Sequence, residues 1–265
     1  MRINYTLLFL LFLASSVYGQ KNEINLTSLL NEMVDRDQIT RFPENGYKCL
    51  QASSYNRESV SPDKPGWFAD SDGLGFIRTE INNGVEEWVL MEDQGPGVIT
   101  KIWAVCFYYG LQDTTGANIK FYLDGATEPV INCNFFKLVK GQDFVKPPFA
   151  DYTTRAGNLY FPIPYSKSCK ITMDNKSFYN IINYRKYPAK TRVKTFTMEE
   201  FDSIEKLRSE VSLQLVNPPQ AEGNELTEKK TLLKDESLRI DLPKGAASVN
   251  QIEIKIENVQ DIPQA

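Results

Sequence analysis

The chain has 265 residues, 42% of them hydrophobic and 12% aromatic, enough to bury a sizeable core as one large β domain or two smaller ones. Its 30 basic and 34 acidic residues leave a net charge of −4, which provides no electrostatic footprint for nucleic acid or anionic lipid. Histidine is absent, which excludes Ser-His-Asp and Cys-His catalysis and histidine metal sites and leaves chemistry to carboxylates, Lys, Arg and Tyr.

The opening MRINYTLLFLLFLASSVYGQ couples Arg2 to an apolar run from Leu7 to Leu13, with small residues leading to Gly19. This reads as a secretory signal peptide over 1–19, its apolar run too short to span a bilayer. A secreted or periplasmic protein is therefore expected, with no membrane span. Residues 20–45 form a lead-in. Asn25 to Asp37 predicts a short helix, because Leu26, Leu29, Leu30 and Met33 recur at helical spacing. Arg41 to Gly75 is polar and irregular, yet it carries Tyr55, Arg57, Trp67 and Phe68. Loops with so many aromatics beside charges either bind something or anchor a crossover to the core.

From Gly75 the pattern turns to β. GFIRTEI, EEWVLME, GVITKIWAVCFYYG, NIKFYLDG and PVINCNFF are rich in β-branched and aromatic residues. Asn82-Asn83-Gly84, Gly95-Pro96-Gly97 and Asp124-Gly125 punctuate them as turns. NLYFPIPYSKSCKITMDN and FYNIINYRKYP resume the pattern after a looser segment, and Tyr160 to Pro164 reads as an edge strand because proline cannot sit mid-sheet. Val193 to Phe196 offers one more short strand. Short strands at this spacing, with long uneven connections, predict an all-β fold over 46–196, an antiparallel jelly-roll sandwich.

Thr197 to Leu215 switches to helical period, with Phe201, Ile204, Leu207 and Val211 as its stripe and Thr197 and Glu200 as a capping box. A polar linker follows, to about residue 235. SLRIDL and VNQIEIKIEN then read as strands opening a further β unit, incomplete over 236–265. Cys49, Cys106, Cys133 and Cys169 allow three disulfide pairings after export, but Cys106 and Cys133 sit in apolar runs and free buried thiols are the favoured reading. Asn25-Leu26-Thr27 and Asn175-Lys176-Ser177 match the N-glycosylation pattern, which matters only in a eukaryotic secretory path.

Four motifs stand in order: SSYNRESVSPD with WFADSDG, DQGPGVITKIW, IKFYLDGATEPVI, and NLYFPIPYSKSCKIT with YNIINYRKYP. Together they resemble glycoside hydrolase family 172, from about Gln51 to Phe196. The resemblance implies two consecutive jelly rolls per subunit, trimer-based assembly, and retaining action on fructofuranosides or arabinofuranosides. It implies a carbohydrate partner and a retaining mechanism that requires no cofactor or metal; the family allows bound cations in places, but this portion has no ligand cluster for one. A retaining glycosidase needs two carboxyls roughly 5 Å apart. The resemblance places both as glutamates in the second roll, one in a Gly-Thr-Gly-Thr-Glu-Asp-Tyr-like stretch. No such stretch occurs here, so no catalytic residue is assigned and this chain alone is expected to be inactive.

Substrate-binding candidates in this portion are Tyr55, Arg57, Trp67, Asp70 and Asp72. Tyr55 and Arg57 match the family's Ser-Ser-Tyr-Asp-Arg, with Asn56 in place of its aspartate. Trp67 offers a flat apolar face for a sugar ring, and Asp70 and Asp72 accept hydrogen bonds from hydroxyls. The structural alternative pairs Arg57 with an acidic neighbour and plugs the sandwich edge with Trp67. The functional alternative to an enzyme is a non-catalytic jelly roll that binds glycan or serves an assembly.

Overall fold

The computed structural model describes residues 23–65, 75–105, 117–175, 179–220 and 222–257. The expected signal peptide, Trp67, Asp70, Asp72, Cys106 and the Lys176-Ser177 end of one glycosylation pattern lie outside them.

Helix α1 spans Leu26–Glu32, shorter than its sequence pattern, and buries Leu26, Leu29 and Leu30. Asn25 starts it: its side chain accepts from the Ser28 amide at 2.8 Å, and Ser28 Oγ accepts from the Asn25 amide at 3.0 Å. This is a reciprocal cap that satisfies two orphan donors. A 3-10 turn follows at Gln38–Thr40.

The strands are β1 (Lys48–Ser53), β2 (Arg78–Asn82), β3 (Val85–Gln94), β4 (Gly97–Val105), β5 (Asn118–Leu123), β6 (Ile131–Asn134), β7 (Ala150–Thr153), β8 (Ala156–Leu159), β9 (Ile163–Tyr165), β10 (Ser168–Met173) and β11 (Asn180–Lys186). They form two antiparallel sheets. Sheet I runs β1-β11-β4-β8-β7, with β9 also paired to β4; sheet II runs β2-β3-β10-β5-β6. Most connections along the chain change sheet, and β1-β11-β4-β8 opposite β3-β10-β5-β6 is the strand order of a jelly roll. The core lies between the sheets, where Ile99, Ile102, Ala104 and Ile182 meet Met91, Ile119, Phe121, Ile171 and Met173.

The Gly95-Pro96-Gly97 corner carries the chain from sheet II to sheet I in two residues. Gly95 has φ +96°, which glycine adopts without steric cost. A Cβ on Gly97 would lie 2.3 Å from the Tyr165 hydroxyl, so its lack of a side chain lets β4 and β9 close up. Asp124 and Gly125, at φ +56° and +78°, make the tight turn that the sequence predicts, closed by the Ala126 amide donating to Leu123 O at 3.0 Å. Asp124 does more. Its carboxylate accepts from the amides of Ser166, Lys167 and Ser168 and from the Thr195 hydroxyl, pinning the turn between β9 and β10. Pro162 falls in the break between β8 and β9, and Pro164 lies on β9, whose strand partner is β4.

Helix α2 (Phe135–Val139) covers the inner side of β8, and Gly157 is flat enough to accept Val139 against it. The expected Thr197–Leu215 helix is two helices, α3 (Met198–Ser203) and α4 (Glu205–Val216). Arg208 explains how the break is tolerated: its Nε donates to the freed Phe201 carbonyl at 3.1 Å, and its guanidinium lies 3.7 Å from the Phe201 ring centroid. The capping box is half made. Thr197 accepts from the Glu200 amide, whereas the Glu200 carboxylate turns to Lys194 and buries its second oxygen without a partner. Phe201 sits in an aromatic cluster with Phe144, Phe161 and Phe196, so this helix belongs to the sandwich core and not to a free linker.

Three expectations are corrected. SLRIDL and VNQIEIKIEN form no strands: Leu238, Ile240, Leu242, Ile252, Ile254 and Ile256 are all exposed. A strand needs a neighbouring backbone to take its hydrogen bonds, and neither described sheet supplies one here. Val193 makes only an isolated bridge, to Ile24. Cys49, Cys133 and Cys169 are free, as expected, but they are not uniformly buried: Cys169 is buried, Cys133 half-buried and Cys49 exposed. Burial pushes the Cys133 thiol up to about 12, with Asp143 adding to the effect.

Candidate functional site

Three surfaces hold chemistry-bearing residues. The first follows β1. Ser54 is locked to the start of β11: its amide donates to Asn180 O at 3.1 Å and its Oγ accepts from the Asn180 amide at 3.0 Å. Tyr55 then emerges 52% exposed, with the Arg57 guanidinium 4.9 Å from its ring centroid. Arg57 also donates to Ser53 O at 3.4 Å. Asn56 accepts from the Glu58 amide at 3.0 Å, an acceptor role that an aspartate fills equally well. Gly75 packs onto this point so closely that a Cβ would fall 2.0 Å from Tyr55 O. The loop bearing the candidates thus starts and returns at one place. The structure brings Tyr55 and Arg57 together; Trp67, Asp70 and Asp72 belong to the segment outside the described residues.

The second surface is the outer face of sheet II, where pleat alternation collects charge. Glu80 on β2 stands opposite Glu87 on β3. Lys120 and Tyr122 on β5, and Lys170 and Thr172 on β10, share that face. Glu87 is 0% exposed and bonds Lys120, Thr172, Tyr122 and Asn82; Glu80 bonds Lys170, Asn82 and Arg78; Arg78 grips Glu92 with both nitrogens. Burial works to raise the Glu87 carboxyl, but the bonds from Lys120, Thr172 and Asn82 outweigh it and hold it below the usual range. Burial acts against Glu80 in the same way, and Lys170, Asn82 and Arg78 prevail. Burial followed by the Glu87 charge pushes the Tyr122 hydroxyl up to about 12. A general acid needs a raised carboxyl. These two are both held ionised by fully engaged partners, so this pair is a structural clamp. Sequence alone offered Glu80 only as one carboxylate among many; the signal for Glu87 was its place in EEWVLME, opposite Glu80 across the Asn83-Gly84 turn.

The third surface is the outer face of sheet I. Gln51, Asn183 and Lys101 stand side by side across β1, β11 and β4. Ser53, Ile181, Trp103, Asn158 and Asp151 form the neighbouring row. The Lys101 ammonium lies 5.4 Å from the Tyr160 ring centroid. Trp103 is half-buried on this face. Among the described residues no group of His, Cys, Asp and Glu has the arrangement to hold a metal ion, and no helix is long and apolar enough to cross a membrane.

Fold and surfaces together define a jelly-roll β-sandwich in which the Glu80, Glu87 and Glu92 carboxylates are engaged by neighbouring side chains. The model of the GH172 first β-sandwich domain matches residues 45–204, more than half of the chain. The chain belongs to this glycoside hydrolase family, and at the family level its function is glycoside hydrolase-like. No curated protein matches it.

Proposed function

We propose that this chain is the exported leading sandwich of a retaining glycosidase acting on fructofuranosides or arabinofuranosides, secreted or periplasmic and working as a trimer-based homo-oligomer. The carrying observation is the family match over 45–204 combined with a carboxylate pair, Glu80 and Glu87, that is paired and ionised and so unsuited to acid catalysis. The two catalytic glutamates then come from a second β unit, in whose sheet SLRIDL and VNQIEIKIEN would find the strand partners that neither described sheet supplies. That assignment accounts for their strand-like alternation in the absence of a strand partner. Tyr55, Arg57, Trp67, Asp70 and Asp72 serve as substrate contacts from the first unit. The reading is tested with synthetic arabinofuranosides and fructofuranosides given to the full-length gene product and to residues 1–265 in parallel, the anomer of the first product being followed by NMR. Turnover with retention by the full-length protein, and none by the shorter chain, is the expected result. Inversion, or turnover by the shorter chain, contradicts it. The second reading, a non-catalytic glycan-binding or assembly domain, is favoured by the exposure of Tyr55 beside Arg57, and predicts glycan binding with no turnover by either protein.

A further inference from the structure

We propose that the open half of the sheet I outer face is a binding platform for a neutral oligosaccharide, separate from the Tyr55–Arg57 loop. Its ligand class rests on the glycoside hydrolase reading; its location rests on the geometry alone.

The face has two halves of opposite chemistry. Towards one end, Val98 is sealed by Leu29 of α1, Tyr187 and Val193, and Arg185 is held by Glu32 at 2.6 Å and by the Tyr47 ring. The other end presents an indole, a phenol and two carboxamides, Trp103, Tyr160, Gln51 and Asn183, with a third carboxamide, Asn158, buried and bonded to Thr153 and Tyr160. Tyr160 is 43% exposed and Gln51 is exposed, while Trp103 and Asn183 are half-buried. An apolar helix does not suit that half, because it would strip water from amides without replacing their hydrogen bonds.

A sugar ring suits it. Its C–H face packs on flat aromatic rings, and its hydroxyls both donate and accept, as carboxamides do. Lys101 and Asp151 supply one charge of each sign, so the face selects neither an anion nor an acidic membrane. The amides are already ordered. Asn183 donates to Gln51 at 3.2 Å, Asn158 donates to Thr153 at 3.1 Å, and the Tyr160 hydroxyl donates to Asn158 at 3.4 Å. Groups held by their neighbours on a rigid sheet lose little entropy when a ligand arrives.

The test uses the full chain in affinity gels cast with inulin, arabinan, xylan or β-glucan, followed by calorimetry with the matching oligosaccharides. The variant is Tyr160→Ala with Asn183→Ala, which leaves half-buried Trp103 intact. Retention by inulin or arabinan, weakened about tenfold or more in the variant at an unchanged thermal transition, is the expected result. Retention by xylan or β-glucan alone, weakened in the same way, supports the platform and overturns the furanoside reading. No retention by any of these glycans overturns the platform, as does retention that Arg57→Ala abolishes and Tyr160→Ala with Asn183→Ala leaves intact. Loss of an oligomer in sedimentation, with no change in retention, also overturns it and assigns the face to contact between copies.

Discussion

Gly97 and Glu87 each depend on neighbours distant in the chain. At Gly97 the space for a Cβ is taken by the Tyr165 hydroxyl, the ring carbon that bears it and the Arg185 carbonyl. Gly97→Ala is therefore expected to cost about 1–3 kcal/mol through overpacking, read as a lower denaturant midpoint; an unchanged midpoint would show that the corner has slack. Glu87 is buried between Lys120, Thr172 and Asn82. Its folded pKa lies below the ordinary glutamate value of 4.5. Its stabilising contribution is thus fully present above the unfolded value and is lost as pH falls through the folded one. Glu80 and Glu92 carry the same sign. Glu87→Gln should destabilise the protein by about 3 kcal/mol at neutral pH, because Lys120 is left without its counter-charge, and should flatten the acid limb of the stability curve. Equal acid limbs for the two proteins would remove Glu87 from the account. Tyr122 works at the other extreme: with its pKa raised to about 12, its contribution is present below 10 and lost as pH climbs towards 12.

The helix that follows the sandwich is an anchored element. Sequence periodicity identified its stripe, and the Thr197 cap formed as the spacing required. The break at Ile204 was not legible, because it depends on Arg208 reaching back to the Phe201 carbonyl. Phe201→Ala removes the ring shared by Phe144, Phe161 and Phe196 and is expected to cost about 3–5 kcal/mol, measured by chemical denaturation. If α3 were a detached linker, the cost would be near zero. Strand periodicity succeeded in the sandwich and failed after it for one reason. Alternation in IEIKIE reports which side chains favour burial, but a strand exists only where another backbone completes it.

Over the whole molecule, the residues at 222–257 lack helix and strand and are almost entirely exposed, in contrast to the sandwich with its α3–α4 brace. Limited proteolysis should cut there first and leave a resistant core ending near residue 220, resolved by mass spectrometry. Early cleavage within β3, β4 or β10 would contradict the packing described. The all-β class, the turns at Asn83-Gly84, Gly95-Pro96-Gly97 and Asp124-Gly125, the helical stripe and the family were all determined by sequence alone. Each rests on local periodicity, on backbone angles that few residues adopt, or on a short motif. Only the tertiary structure decided that Gly95-Pro96 joins two sheets, that Asp124 holds a turn more than forty residues away, that Glu80 and Glu87 clamp one face, and that Trp103, Tyr160 and the amides share the other. Those relations come from strand order and register, which pair residues far apart in the chain and leave no periodic trace along it.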